Sequence, residues 1–197
     1  MEGRNQKVNS REIFNPALVF GVGFFYLLVF GGVPSARGED WESGDIVMRH
    51  GTGLWSEFFR KYSVRDRRFS HAGIVWVEGG KLYCIHAEGD DLSGRGQVAK
   101  VPLREFFKPS RANGHFRFRL PREVRLRCAR EAHRLLGVPF DWKFDTDDHS
   151  ALYCTELIAV ALSGAAPQIF LKRCKNIIPL DALSDPSIAE ELSARLP

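Results

Sequence analysis

One late stretch, Ser150 to Leu162, constrains this chain more than any other. Read as a helix, Ser-Ala-Leu-Tyr-Cys-Thr-Glu-Leu-Ile-Ala-Val-Ala-Leu is apolar nearly all round. A helix without a polar face has to be buried, so the remaining elements must be built around it. Asp147 and Asp148 precede it, and Ser150 or Asp148 can act as its N-cap. Gly164 is placed to break it at the far end. Cys154 then falls in or near the first turn. There the unpaired N–H groups and the positive end of the helix dipole favour an anion. A thiol so placed has its pKa lowered and becomes a better nucleophile. Free cysteine also packs as a small hydrophobe, and this stretch alone leaves that reading open. A partner histidine has to decide.

Composition narrows the class. The chain has 197 residues, 44% hydrophobic and 26% charged, which suits one globular domain with a real core. The net charge is +4, with arginines crowded between Arg60 and Arg68 and between Arg117 and Arg130. Such clusters are solvated surface, or they face anionic lipid or an acidic polymer. No zinc-finger spacing or RNA-binding motif accompanies them, so no nucleic acid partner is expected. The four cysteines, Cys84, Cys128, Cys154 and Cys174, form no C-x-x-C pair. Neither a structural zinc site nor a cofactor is expected from them. They are too few for a disulfide scaffold, and with Cys154 reduced at most one bridge remains.

The N-terminal segment reads as a targeting device. Arg4, Lys7 and Arg11 precede an unbroken run of apolar residues and glycine from Ala17 to Phe30, followed by small residues to Ala36. A positive start, an apolar core and a small-residue exit make a secretory signal. Extended to Val33 the run reaches the lower edge of a bilayer span, so an uncleaved anchor is the alternative. Residues 1–36 are thus expected to be a signal peptide or membrane anchor, 37–43 a linker and 44–197 the domain. The domain is expected to be periplasmic, secreted or membrane-anchored.

Within that domain, Gly44 to Arg49 is a turn feeding a short strand, and Leu54, Phe58, Phe59 and Tyr62 have helical spacing. Ser70 to Val77 is rich in β-branched and aromatic residues, and Glu78-Gly79-Gly80-Lys81 is hairpin chemistry. On the return strand, Leu82 to Glu88, period-2 alternation puts Cys84, His86 and Glu88 on one face. Antiparallel pairing carries His86 beside His71, since opposed residues have Cβ atoms about 4.5–5.5 Å apart. Each histidine alone is as readily structural; two facing each other at one hairpin end point to a site. Strands are expected at Val98–Leu103 and His115–Leu120. A helical turn at Arg104–Phe107 and an amphipathic helix from Arg122 to Leu136, ended by Gly137, complete the pattern. Asp145, Asp147 and Asp148 lack the glycine and terminal glutamate of a calcium loop, so they are expected to cap turns. The tail reads as a helical turn at Leu171–Lys175 and a weak helix after Pro186.

Four of these pieces occur in a recognisable order. Gly44-Asp45-Ile46-Val47, Phe69-Ser70-His71-Ala72-Gly73-Ile74-Val75, Gly137-Val138-Pro139-Phe140-Asp141 and Leu152-Tyr153-Cys154-Thr155-Glu156-Leu157-Ile158 resemble the motifs of YiiX-like proteins. These are circularly permuted members of the NlpC-type papain-like superfamily. The resemblance covers residues 44 to about 164. It implies an α+β, permuted papain-like fold, with an antiparallel sheet or small barrel packed against a central nucleophile helix. It also implies that Cys154 is the nucleophile and His71 its base. The third polar position falls on His86, where YiiX-like proteins often have Glu and other branches have His; Glu88, on the same strand face, is the fallback orienter.

The expected activity is that of a thiol hydrolase, an amidase, peptidase or esterase. His71 takes the thiol proton and Cys154 attacks a carbonyl to give an acyl-enzyme. His86 fixes the His71 tautomer, the Cys154 amide donates to the oxyanion, and Tyr153 is a pocket wall, a second donor or a packing residue. The expected partner is an amide- or ester-containing envelope substrate, lipid-linked or not, with membrane-surface contact; in the non-catalytic rival that surface is formed by Trp55, Phe58, Phe59 and the arginine loop. Acyl transfer to lipid, a non-catalytic lipid- or envelope-binding module and a metal site of His71, His86 and Cys84 or Cys154 are the rival readings.

Overall fold

The computed structural model describes residues 41–51, 55–90, 92–108 and 110–193. The expected signal or anchor lies outside these residues. Among the described residues there are six strands: β1 (Ile46–Arg49), β2 (His71–Glu78), β3 (Lys81–Asp90), β4 (Arg95–Pro102), β5 (Asn113–Phe118) and β6 (Ala189–Leu192). They form one antiparallel sheet in the order β4-β3-β2-β1-β5-β6, so of the two expected forms the open sheet is the one observed. Among the described residues four α-helices accompany it: α1 (Trp55–Tyr62), α2 (Leu103–Phe107), α3 (Arg122–Arg134) and α4 (Cys154–Ala165).

Strand alternation sorts the side chains into two layers. Ile46, Met48, Ala72, Ile74, Ile85 and Ala87 face one way and pack with α3 and α4. Val47, Val75 and Cys84 face the other way and pack with Leu103, Phe106 and Phe107 of α2. Leu157, Ile158, Ala161 and Leu162 of α4 are fully buried, as its apolar circumference requires. Burying each large one contributes roughly 1.5–3 kcal/mol.

The turn into β1 explains its Gly-Asp pair. Gly44 has φ +97°, and a Cβ there would lie 2.2 Å from the Arg125 carbonyl oxygen of α3. Only glycine tolerates both conditions. Asp45 is fully buried and accepts bonds from Arg117 Nε (2.7 Å), His115 Nε2 (2.8 Å) and the Glu42 amide (2.9 Å). Burial pushes its carboxyl up, but the Arg117 and His115 bonds outweigh it and hold the pKa below the usual range. The pair therefore anchors β1 rather than doing chemistry.

Four expectations need correction. Helix α4 begins at Cys154, with Tyr153 as N-cap, and neither Ser150 nor Asp148 caps it. Leu152 is held extended by bonds to Pro139 and Asp141, which delays the helix, and Asp148 instead closes a turn onto the Ser150 amide. Gly164 lies inside α4, where the Glu131 side chain of α3 crosses 3.1 Å from a would-be Cβ. Residues 171–175 are not helical: Cys174 and Ile177 exchange backbone bonds of 2.7 and 3.2 Å. The weak helix after Pro186 is strand β6, because pairing with β5 sets Glu190 opposite Arg117 and turns Ala189 into the core. Tertiary pairing there overrides helix propensity. All four cysteines are free, Cys84, Cys128 and Cys154 buried and Cys174 exposed.

Candidate active site

The site forms where the start of β2 meets the start of α4. Cys154 is the first helical residue and is 1% exposed. Its sulfur does not point into hydrocarbon alone. Burial pushes the thiol up to about 11, while hydrogen bonds from the backbone of Ala72, Thr155 and Cys154 itself pull the other way. Ala72 neighbours His71 at the start of β2, so this backbone contribution comes from the strand that carries the imidazole. Among the described residues no hydrogen bond joins the sulfur directly to the His71 ring.

His71 and His86 meet as the hairpin pattern required: His71 Nε2 lies 2.9 Å from His86 Nδ1. The register sets His86 two residues away from direct opposition to His71. Ile74 pairs with Ile85, so His86 lies across from Gly73 and diagonally from His71. Gly73 makes this approach feasible, because a Cβ there would lie 2.3 Å from Cys84 Sγ and 3.1 Å from His86 Cβ. Burial holds both histidines neutral and a nearby guanidinium, Arg49, adds to the effect: His71 is well below its ordinary value and His86 falls to about 4. The thiol and both imidazoles are therefore neutral at rest, and no ion pair is preformed. If His71 donates through Nε2 to His86, its Nδ1 lone pair is left to accept a proton.

Glu88 stands behind this pair. Its Oε2 is 3.7 Å from His86 Nδ1, and its other oxygen takes a hydrogen bond from Arg49 Nη2. His86, not Glu88, is the residue hydrogen-bonded to His71. Sequence reasoning missed Arg49 and Phe106. Arg49 pairs with His71 in the β1–β2 register and is only 5% exposed. Its guanidinium sits 5.1 Å from the Phe106 ring centre, and the same ring stacks on His71 at 5.6 Å and meets His86 edge-on at 5.3 Å. The signal was present: alternation from Val47 puts Arg49 on the His71 face.

Tyr153 is not a pocket wall. It is fully buried, packs on Phe59 and Phe144, and its hydroxyl accepts a 2.9 Å bond from the Ile178 amide. Phe58 and Phe59 also turn inward onto Phe144, leaving Trp55 of the expected membrane-facing aromatics 37% exposed. Glu156 accepts the Tyr153 amide at 3.4 Å and His149 Nδ1 at 2.9 Å, bracing the start of α4. A cluster able to hold a cation is His71, His86 and Glu88, whose ligand atoms lie within 4.8 Å of one another; neither Cys84 nor Cys154 belongs to it.

Comparison with known proteins follows the same lines. Residues 40–176 match the family described as permuted papain-like amidase enzyme, YaeF/YiiX, C92 family. A crystal structure described as that of metalloprotein YiiX from Escherichia coli O157:H7 shares the fold, with TM-score 0.64 and 17% identity, over 79% of this chain and 98% of that one. No curated protein matches the chain.

Proposed function

We propose, for a chain that belongs to the permuted papain-like amidase family, that it cleaves an amide or ester through a Cys154 acyl-enzyme with His71 as base. The observation that carries this is the 2.9 Å His71–His86 contact at the start of β2, a strand packed against α4, which opens on Cys154. His71 takes the thiol proton as the sulfur attacks the carbonyl carbon. His86 accepts the far N–H of His71 and fixes its tautomer, while the Cys154 amide, unpaired by the helix, donates to the oxyanion. The proton then passes to the leaving amine or alcohol, and water releases the acyl group. The signal-like N-terminus supports an envelope substrate, with residues 17–33 delivering or tethering the domain. Single-turnover labelling with an acyl electrophile tests the chemistry. Cys154→Ala should abolish labelling, and His71→Ala should slow it by about a hundredfold or more. Labelling of both variants at the parent rate would sink the dyad.

A second reading is favoured by the His71–His86–Glu88 cluster, together with the description of the YiiX neighbour as a metalloprotein. Two imidazoles and a carboxylate are a donor set zinc accepts. Here, however, the two rings are bonded to each other and Glu88 to Arg49. A cation would have to displace a shared proton and a guanidinium. Calorimetric titration of chelator-treated protein with zinc decides: stoichiometric micromolar binding lost in Glu88→Gln supports this reading, and no heat removes it.

A further inference from the structure

We propose that Arg49 reads a carboxylate on the substrate, so that the amide or ester cleaved carries an anionic group close to the scissile bond. This rests on the thiol reading of the site. A buried guanidinium is costly unless its donors are paired. Arg49 is 5% exposed, yet among the described residues its Nε finds no hydrogen-bond partner. Its carboxylate partner is Glu88, through Nη2, and the Glu88 side chain is 49% exposed. Water competes for such a carboxylate, so the pair is replaceable. Residue 51 is glycine, and a Cβ there would lie 3.8 Å from Arg49 Nη1, so no side chain from that position fills the space beside the fork.

Placement makes this group more than a structural ion pair. Arg49 faces His71 across β1–β2 and shares the Phe106 ring with both histidines. Packing does not call for a cation here. Val47 and Val75 fill the same face with hydrocarbon, and replacing a buried ion pair by apolar side chains is often neutral or stabilising. The planar guanidinium fork matches a carboxylate with two parallel bonds. The substrate's carboxylate takes the place of the Glu88 oxygen, and Glu88 turns to water.

The test compares the rates at which iodoacetate and iodoacetamide alkylate Cys154. In both reactions the sulfur displaces iodide, forming an S–C bond as the C–I bond breaks. Their ratio therefore cancels the ionisation of the thiol and reports charge recognition. The 3-bromopropionate and 3-bromopropionamide pair extends the reach by one methylene. The parent should favour the anionic reagent relative to free cysteine, and Arg49→Met should lower the ratio about tenfold. Glu88→Gln should raise it, and that rise should vanish in the Arg49→Met, Glu88→Gln double variant. Arg49→Lys, which keeps the charge without the fork, should fall between parent and Arg49→Met, and it decides the case if the methionine variant does not fold. An unchanged ratio in the Arg49 variants, or a Glu88→Gln rise that survives without Arg49, overturns the proposal while leaving the thiol mechanism intact. Failure of Cys154 to alkylate at all removes that mechanism first.

Discussion

Gly73→Ala tests how the two histidines come together. The added Cβ would lie 2.3 Å from Cys84 Sγ, 2.9 Å from the Ile85 carbonyl oxygen and 3.1 Å from His86 Cβ. Ordinary contacts are longer by about an ångström or more in the first case. Neither a backbone carbonyl nor a short buried cysteine can move aside freely. The β2–β3 hairpin must open, and overpacking of this kind costs about 1–3 kcal/mol. For a domain of this size that lowers the melting temperature by roughly 2–12 °C. Opening also stretches the 2.9 Å His71–His86 contact, and a further 0.6 Å or so carries it past hydrogen-bonding range. Electrophile labelling of Cys154 should slow about tenfold or more as the His71 tautomer is released. Cys84→Ala removes the shortest clash but not the carbonyl or His86. The double variant should therefore regain stability, with a coupling of about 0.5–3 kcal/mol, and regain labelling only in part. Thermal melts and labelling rates on the four proteins complete the cycle. Parent-like melting and labelling in Gly73→Ala would show that the close approach at this glycine does not hold the pair.

Three further outcomes follow from the site. Because burial lifts the Cys154 thiol to about 11, iodoacetamide alkylation should keep accelerating through pH 9–10; a plateau near neutrality would reveal an ion pair instead. His86→Ala should leave Cys154 alkylation at pH 10 near the parent rate, where the thiolate forms unaided, yet slow acyl labelling at pH 7 about tenfold to a hundredfold; equal losses at both pH values would make His86 a packing residue. Burial raises Glu156 from 4.5 to about 7, against the pull of His149 and the Tyr153 amide. The folded state then holds a proton that the unfolded state loses, so this group's contribution falls as pH rises from about 4.5 to 7. Urea titrations should show the stability of Glu156→Gln minus that of the parent growing over this window; a constant difference refutes the buried-acid reading.

Much of this was legible before any coordinate. The circumferential apolarity of 154–162 announced a central helix, and alternation in 82–88 announced the face that carries His86. Both are local patterns with a fixed period. What stayed hidden was non-local. The start of α4 depends on Leu152 bonding to the distant Pro139 and Asp141, so local capping rules put it too early. Strand β6 is short and rich in glutamate, and its identity comes from β5 alone. Arg49 was unread because alternation puts it on the Val47 face without saying what lies across from it; its register with His71 supplies that.

The order of elements along the chain has a consequence for biogenesis. The imidazole hairpin is synthesised well before the helix that carries the sulfur, and β1 waits for β5 while β5 waits for β6 at the far end. A nascent polypeptide thus cannot pack Cys154 near the β2–β3 hairpin until α4 has been made. Any chemistry that needs the thiol and the imidazole pair together is therefore acquired late in synthesis.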